Sequence, residues 1–266
     1  MGKRISKRKK QQRRQFIILL ALLIIGGWFV VSHQAIKSRI QFWFYRSPKN
    51  QVTLSESKKQ LNAYSVYGLD VSEYQDVIVW KKLTNHNHIN FAFIRATAGK
   101  NHKDKQFDYN WHKTKKHGIA HGAYHYYRPN ENSFKQASNF IQCVELNPGD
   151  LPPVLDIEDY SKVQSFQNLK IGLLRWLKTV EKHYGVKPIV YTYYKYYIMH
   201  FQNDNRFNGY AFWLARYGHY ITPEKPGKNW LFWQFTEKGN IEGIRGNVDF
   251  NVFYDDKQQF HSLLME

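Results

Sequence analysis

The chain has 266 residues, 42% of them hydrophobic and 17% aromatic, which is enough for one domain of about 200 residues with a sizeable core. Its formal net charge is +18, but eight of the basic residues lie within the first fourteen, which leaves about +10 on the remainder. A single cysteine, Cys143, excludes an intramolecular disulfide and a metal site built from cysteines alone.

The N-terminal residues have the pattern of a membrane anchor. Residues 1–15 are strongly basic, and the run 16–31, FIILLALLIIGGWFVV, carries no charge. Extended to residue 36, a helix here is about 30 Å long, the thickness of a bilayer's hydrocarbon core. Because basic flanks stay in the cytoplasm, we predict a basic cytoplasmic tail (1–15), a single-pass transmembrane signal anchor (16–36) in the bacterial cytoplasmic membrane, and a periplasmic or extracellular domain.

Two alternatives exist for this segment. A signal peptide would be cleaved and the protein secreted, but the nearest small-x-small site, His33-Gln34-Ala35, has a poor residue at its outer position. A nucleic-acid-binding arm would explain the basic run but not the apolar run directly behind it. We therefore expect a membrane partner and no nucleic-acid partner.

Residues 37–63 are predicted to be a linker ahead of a domain that spans 64–266. From residue 65 onward, short apolar or aromatic strands alternate with amphipathic helices. The predicted strands are 66–71, 89–96, 119–127, 152–158, 188–193, 210–216, 230–235 and 247–253, and the predicted helices are 107–117, 133–146 and 166–184. This alternation, with few helices in the second half, predicts an α/β fold: an irregular β/α (TIM-like) barrel of about eight strands, with a doubly wound open sheet as the alternative.

Four carboxylates fall at or near the carboxyl ends of these strands, where a barrel gathers its functional residues. They are Asp70, Asp156, Glu158 and Asp249. Asp156 and Glu158 are two apart, so on a strand both point to one face, and one of them tends to keep its proton at neutral pH. A proton donor beside a negative charge is what glycosidic bond cleavage requires. One D-x-E alone also fits solvated acids at a strand end, but four acids from three segments favour a catalytic site.

The motifs around these acids resemble those of glycoside hydrolase family 25, the Chalaropsis-type lysozymes. Residues 70–75 (DVSEYQ) fit its opening D-V-S-x-x-Q. Residues 91–99 (FAFIRATAG) fit its second strand, F-x-F-I-K-A-T-E-G, with Arg95 in place of Lys and Ala98 in place of Glu. Further matches are GAYHY at 122–126, PVLDIE at 153–158, FWLARY at 212–217, WQF at 233–235 and VDFN at 248–251. The resemblance covers about residues 66–255 and leaves out the N-terminal segments.

The resemblance implies a muramidase that hydrolyses the β-1,4 bond between N-acetylmuramic acid and N-acetylglucosamine in peptidoglycan glycan strands. It implies Glu158 as the general acid, with a pKa raised by Asp156 and by partial burial. Asp156 would orient the substrate's 2-acetamido group or stabilise charge at C1, while Asp70 and Asp249 would hold water or tune the acid. The candidate sugar contacts are Tyr124, Tyr126, Tyr193, Trp213 and Gln234, although the aromatic side chains could equally fill the core. An inverting, a retaining and a substrate-assisted mechanism all stay open.

Two other functions are compatible with the sequence. One is a wall-binding barrel that has lost catalysis, which the changes at Arg95 and Ala98 allow. The other is a metal-dependent hydrolase with Asp70, Asp156 and Asp249 as ligands. Catalytic zinc usually takes histidine ligands, however, and the histidines here are poorly placed for that role. We therefore expect no metal and no other cofactor.

Overall fold

Eight strands close into a barrel in the computed structural model, which describes residues 51–87, 89–218, 222–223 and 230–266. The strands in chain order are β1 (Val52–Thr53), β2 (Tyr67–Val71), β3 (Phe91–Ala98), β4 (His102–Lys103), β5 (Ala120–Tyr126), β6 (Val154–Asp156), β7 (Ile189–Tyr193), β8 (Phe212–Ala215), β9 (Trp230–Asn240) and β10 (Val248–Phe253). The α-helices are α1 (Leu54–Gln60), α2 (Trp80–Asn87), α3 (Phe107–Lys116), α4 (Ser133–Cys143), α5 (Phe166–Tyr184), α6 (Tyr194–His200) and α7 (Lys257–Ser262). The ring runs β2-β3-β5-β6-β7-β8-β9-β10 and closes where β10 pairs with β2, while the short β1 and β4 pair with β9 and β3.

The closed ring confirms the predicted barrel and excludes the open, doubly wound sheet. All eight predicted strands are present, although the fourth, predicted at 152–158, is confined to Val154–Asp156. The three predicted helices are α3, α4 and α5. After β7, the described residues hold only the short α-helices α6 and α7, as the thinning of the helical pattern predicted.

The last strand runs against the others. From β2 to β9 the neighbouring strands of the ring are parallel, whereas β10 pairs antiparallel with both β9 and β2. Asp249 is therefore near the amino end of its own strand, and the prediction that it lies near a carboxyl end is wrong for β10. The antiparallel direction nevertheless brings Asp249 opposite Asp70, at the carboxyl ends of the parallel strands.

Strand residues alternate between the barrel interior and the surrounding helices. Aromatic rings fill the interior: Phe93 stacks on Trp213 with ring centroids 4.6 Å apart, and Phe91 meets Phe232 edge-on at 5.0 Å. Gly68 is required on β2, because a Cβ there would overlap the Phe91 ring. These rings fill the interior of the barrel. The polar residues of the same interior face line a cavity at the barrel mouth.

Part of the predicted linker 37–63 belongs to the barrel domain. β1 pairs with β9, and α1 starts at a capping box that satisfies its first backbone N–H groups. Leu54 and Leu61 are buried, and the carbonyl of Leu61 accepts a hydrogen bond of 2.7 Å from the Tyr67 hydroxyl. The described part of the domain therefore begins at residue 51 rather than at 64.

Truncating Leu61 to Ala is expected to lower the free energy of unfolding by about 2–5 kcal/mol, the usual cost of removing a buried leucine side chain. Urea titration of the full-length protein in detergent micelles measures the change. Met199→Ala is the control, because Met199 is 58% exposed, and it should change the free energy by less than about 0.5 kcal/mol. A Leu61→Ala effect as small as the control's would contradict the packing of α1 on the barrel.

No helix in the described ranges is both long and apolar enough to cross a bilayer. The predicted cytoplasmic tail, 1–15, and the predicted anchor, 16–36, lie outside those ranges. The predicted linker lies outside them up to residue 50.

Candidate active site

A cavity of about 250 Å³ opens at the carboxyl ends of the parallel strands. The nine residues predicted from the sequence all line it: Asp70, Tyr124, Tyr126, Asp156, Glu158, Tyr193, Trp213, Gln234 and Asp249. They come from β2 and from the ring strands β5 to β10. The structure therefore brings together every predicted site residue, and the contacts among them distinguish their roles.

Asp156 and Glu158 form the first of two carboxyl pairs in the cavity. Asp156 is the last residue of β6 and Glu158 follows the strand, so both side chains enter the barrel mouth from the same face. Asp156 is 4% exposed, whereas Glu158 is more accessible. The two carboxyl groups are in hydrogen-bond contact, and Glu158 also accepts a hydrogen bond from the Tyr193 hydroxyl.

Burial raises the pKa of both carboxyl groups. The pKa of Asp156 is raised well above its ordinary value, first by burial and then by the negative charge of Glu158. Burial also raises the pKa of Glu158, but the hydrogen bonds from Tyr193 and Asp156 lower it. The free pair therefore keeps a proton at neutral pH, shared between the two carboxyl groups. Partial burial raises the pKa of Glu158 in the predicted direction, whereas the hydrogen-bond contact with Asp156 acts in the opposite direction.

One oxygen of Asp156 has no partner. Its Oδ1 atom is buried and accepts no hydrogen bond from the residues that the structure describes. A buried polar atom left unpaired costs about 1–3 kcal/mol. Asp156 as a whole is 4% exposed and lines the cavity, so a bound ligand can contact its carboxyl group there.

Asp70 and Asp249 form the second carboxyl pair, hydrogen-bonded to each other. Asp70 Oδ2 also accepts hydrogen bonds from Gln234 Nε2 at 2.8 Å and from Asn251 Nδ2 at 2.7 Å. Burial raises the pKa of Asp70 to about 6, against the lowering effect of these three hydrogen bonds. Desolvation and the charge of Asp70 raise the pKa of Asp249 well above its usual range. This second pair therefore also keeps a proton at neutral pH, and Asp70 is its more readily ionised member.

Gln234 is a positioning residue at the base of the cavity. Its carbonyl Oε1 accepts hydrogen bonds from the hydroxyls of Tyr191 at 2.7 Å and Tyr217 at 2.6 Å. These two bonds orient the amide so that its nitrogen points to Asp70. The sequence predicted a sugar contact for Gln234, but its carbonyl is already engaged within the protein.

The aromatic residues predicted to contact sugars differ in exposure. Trp213 is 2% exposed and forms the floor of the cavity, while Tyr124 and Tyr126 are partly buried on β5. Tyr193 is 38% exposed and lies beside Glu158. Tyr193 therefore presents the most accessible ring surface for a sugar among these four.

Arg95 also lines the cavity, although the sequence indicated only that it replaces a lysine. Its Nε donates to Asp104 Oδ2 at 2.8 Å and its Nη2 donates to Glu73 Oε1 at 3.0 Å. The guanidinium also lies 4.8 Å from the centre of the Tyr74 ring, and its charge opposes the rise in the pKa of Asp156. The alternation along β3 was the available signal, because Arg95 lies two residues after an interior phenylalanine.

Glu237 is a further cavity carboxylate that sequence reasoning missed, and its charge helps to raise the pKa of both Glu158 and Asp249.

Glu237→Gln is therefore expected to lower both pKa values. The alkaline limb of the pH–activity curve, where the acid loses its proton, should then move to lower pH. The measurement is kcat/KM against pH, with Lys238→Gln, an exposed neighbour outside the cavity lining, as control. An alkaline limb unchanged by Glu237→Gln would contradict this coupling.

The described residues contain no group of three or more His, Cys, Asp or Glu side chains arranged to hold a metal ion. His125, one of two buried histidines on β5, has a structural role. Its Nδ1 lies 2.7 Å from Thr97 Oγ1 and its Nε2 lies 3.1 Å from Gln136 Oε1. Burial lowers its pKa to about 3, so it is neutral at physiological pH.

The chain is similar to proteins of known sequence and structure. The profile of glycosyl hydrolases family 25 matches residues 69–244. The uncharacterized protein YegX of a strain of Escherichia coli is 38% identical over 222 residues, which cover 82% of this chain and 78% of the relative. Lysozyme M1 of Streptomyces globisporus is 31% identical over 206 residues, which cover 71% of this chain and 67% of the lysozyme. The solved structure of a family 25 glycosyl hydrolase from Bacillus anthracis matches with a TM-score of 0.70 at 31% identity, over 77% of this chain and 95% of that one.

Proposed function

This chain belongs to the glycosyl hydrolases family 25, and we infer from that membership and from its cavity that it is a muramidase. It is a glycosidase that cleaves the β-1,4 bond between N-acetylmuramic acid and N-acetylglucosamine in peptidoglycan. The observation that carries this proposal is the Asp156–Glu158 pair, because a shared proton beside a second carboxyl group is the apparatus that glycosidic cleavage needs.

We assign the role of general acid to Glu158. It is the more accessible of the two carboxyl groups, and a proton on it can reach the leaving oxygen of a sugar bound at the mouth. Asp156 lies deeper, where it can act on the sugar ring but not on the leaving group. The positions of the two carboxyl groups therefore assign proton donation to Glu158 and action on the sugar ring to Asp156.

Substrate binding places the shared proton on Glu158 in this mechanism. Asp156 lines the cavity, where its carboxyl group can accept a hydrogen bond from the 2-acetamido N–H of a bound sugar. A hydrogen bond to the charged form of a carboxyl group favours that form, so accepting this N–H favours ionised Asp156. The proton of the pair then moves to Glu158, which is the group that must donate it.

The contact between the two carboxyl groups also bears on the reaction path. An inverting pair is separated by about 6.5–9.5 Å to make room for a water, and Asp156 and Glu158 are in direct hydrogen-bond contact. We therefore favour attack at C1 by the carbonyl oxygen of the substrate's own acetamido group, held by Asp156 through its N–H. Ionised Asp70 then serves as the acceptor that orients water for the second step.

We further propose that residues 16–36 anchor the enzyme in the cytoplasmic membrane, with the barrel outside. Two observations support this: the uncharged run follows a basic tail, and the peptidoglycan substrate lies outside that membrane. The intact protein should fractionate with the membranes, and protease added to intact spheroplasts should digest its barrel. A soluble mature protein that begins after the apolar run would contradict the anchor.

Incubating purified peptidoglycan with the full-length protein in detergent micelles tests the hydrolase assignment. We expect a loss of turbidity and the release of soluble glycan, both of which persist in excess EDTA. Binding to the sacculus without any release would support the wall-binding alternative instead. Activity that EDTA removes and a divalent metal restores would support the metal-dependent alternative.

A further inference from the structure

Beside the cavity, an aromatic cluster that this mechanism does not use reaches the surface. Tyr160, Phe166, Tyr196 and His200, which we call the Tyr160 platform, pack against one another. The ring of Tyr160 lies 5.0 Å from that of Tyr196 and 5.8 Å from that of Phe166, and Phe166 lies 4.1 Å from His200. Tyr160 is nevertheless 52% exposed, so its neighbours cover part of the ring and the remainder faces solvent.

Hydrogen bonds hold Tyr160 and the two residues that follow it in place. The Tyr160 hydroxyl lies 2.8 Å from His200 Nε2. The chain just after Tyr160 is pinned to a neighbouring loop, because Ser161 Oγ and the Lys162 backbone N–H both donate to Asn130 Oδ1 at 2.9 Å. A ring already held in place loses little conformational freedom when it binds a ligand.

The platform is also continuous with the cavity. Tyr160 follows Glu158 by two residues, so their Cα atoms are at most about 7 Å apart. Between them, the Asp159 carboxylate accepts a hydrogen bond of 2.8 Å from Tyr126, which lines the cavity, and the Asp159 carbonyl accepts one of 3.4 Å from Tyr196. Asp159 thus links Tyr126 of the cavity lining to Tyr196 of the platform through hydrogen bonds.

We propose that the Tyr160 platform binds an N-acetylated sugar of the glycan strand outside the catalytic cavity, an inference that rests on the proposed function. The apolar C–H face of a sugar ring packs on an exposed aromatic face. A stem peptide fits less well, because its carboxylates would lie beside the exposed Asp159. Since the platform contacts no reacting atom, it contributes to KM rather than to kcat.

The test compares Tyr160→Ala with wild type in the full-length protein in detergent micelles. The substrates are an octasaccharide and a tetrasaccharide purified from peptidoglycan. We expect the KM for the octasaccharide to rise about 5- to 10-fold, the scale of one lost aromatic contact, with a smaller rise for the tetrasaccharide and little change in kcat. Tyr160→Phe, which keeps the ring but loses the hydroxyl contact with His200, should raise KM much less than Tyr160→Ala. Phe134→Ala removes another exposed aromatic ring (55% exposed) outside the platform and should also leave KM unchanged.

A binding measurement separates this proposal from the proposed function. In the Glu158→Gln background, calorimetric titration with the octasaccharide should show about 5- to 10-fold weaker binding when Tyr160→Ala is added. Equal affinity with and without Tyr160→Ala would overturn the platform while leaving the muramidase assignment intact. Wild type that binds but does not cleave would overturn the muramidase assignment, and the titration would still decide the platform. A loss of affinity as large in Tyr160→Phe or in Phe134→Ala as in Tyr160→Ala would also overturn the platform, because it would not depend on the Tyr160 ring.

Discussion

Replacing Glu158 with Gln is expected to lower kcat on peptidoglycan by about 10²- to 10⁴-fold, the contribution typical of a positioned general acid. Gln has nearly the same shape as Glu but has no acidic proton to give to the leaving oxygen. The KM should change little, since the side chain keeps its place at the cavity mouth. The rate of release of soluble glycan from purified peptidoglycan measures the effect.

Glu237→Gln is the matched control for this variant. It removes a carboxylate from the same cavity by the same chemical change, but Glu237 has no assigned part in proton transfer. At its own pH optimum it should keep most of the wild-type kcat. If Glu158→Gln were as active as Glu237→Gln, Glu158 would not be the general acid.

Asp156→Asn is expected to lower kcat by about 10²- to 10³-fold, the scale seen when one electrostatic group that stabilises a transition state is removed. Asn cannot become negatively charged when the acetamido N–H binds, and its own NH2 group would donate to Glu158 and favour the ionised form of the acid. Both effects oppose proton donation. Steady-state kinetics measure kcat and KM separately.

Protein stability distinguishes this prediction from simple misfolding. Asp156 is buried beside other carboxylates that raise its pKa, so replacing it with a neutral amide should leave the melting temperature unchanged or raise it. A low kcat together with an unchanged or higher Tm therefore supports a direct role for Asp156. A normal kcat, or a loss of activity that parallels a loss of Tm, would contradict that role.

The sequence predicted nine of the residues that line the cavity, partly from strand periodicity, which is local, and partly from the family motifs. Asp156 and Glu158 are two apart on one short segment, so their common face follows from the alternation of a strand. The same rule extends to Tyr124 and Tyr126 on β5, which both line the cavity. The eight-strand barrel was likewise predicted from the order of the apolar segments along the chain.

The features that the sequence did not predict depend on contacts between distant segments. The direction of β10 is set by pairing with β9 and β2, so the position of Asp249 within its strand could not be read locally. Burial of both carboxyl groups, which raises both pKa values and keeps a proton on the catalytic pair, also depends on residues from distant segments. The packing of α1 was missed because its polar composition resembles that of a linker, although Leu54 and Leu61 are buried.

Identifying the ends that the enzyme releases tests the central claim most directly. Purified peptidoglycan is digested with the full-length protein, the new reducing ends are reduced with borohydride, and the products are identified by mass spectrometry. The account predicts reduced N-acetylmuramic acid at the new ends from wild type and none above background from Glu158→Gln. Reduced N-acetylglucosamine at those ends would contradict it, because the bond cleaved would then be the other one in the strand.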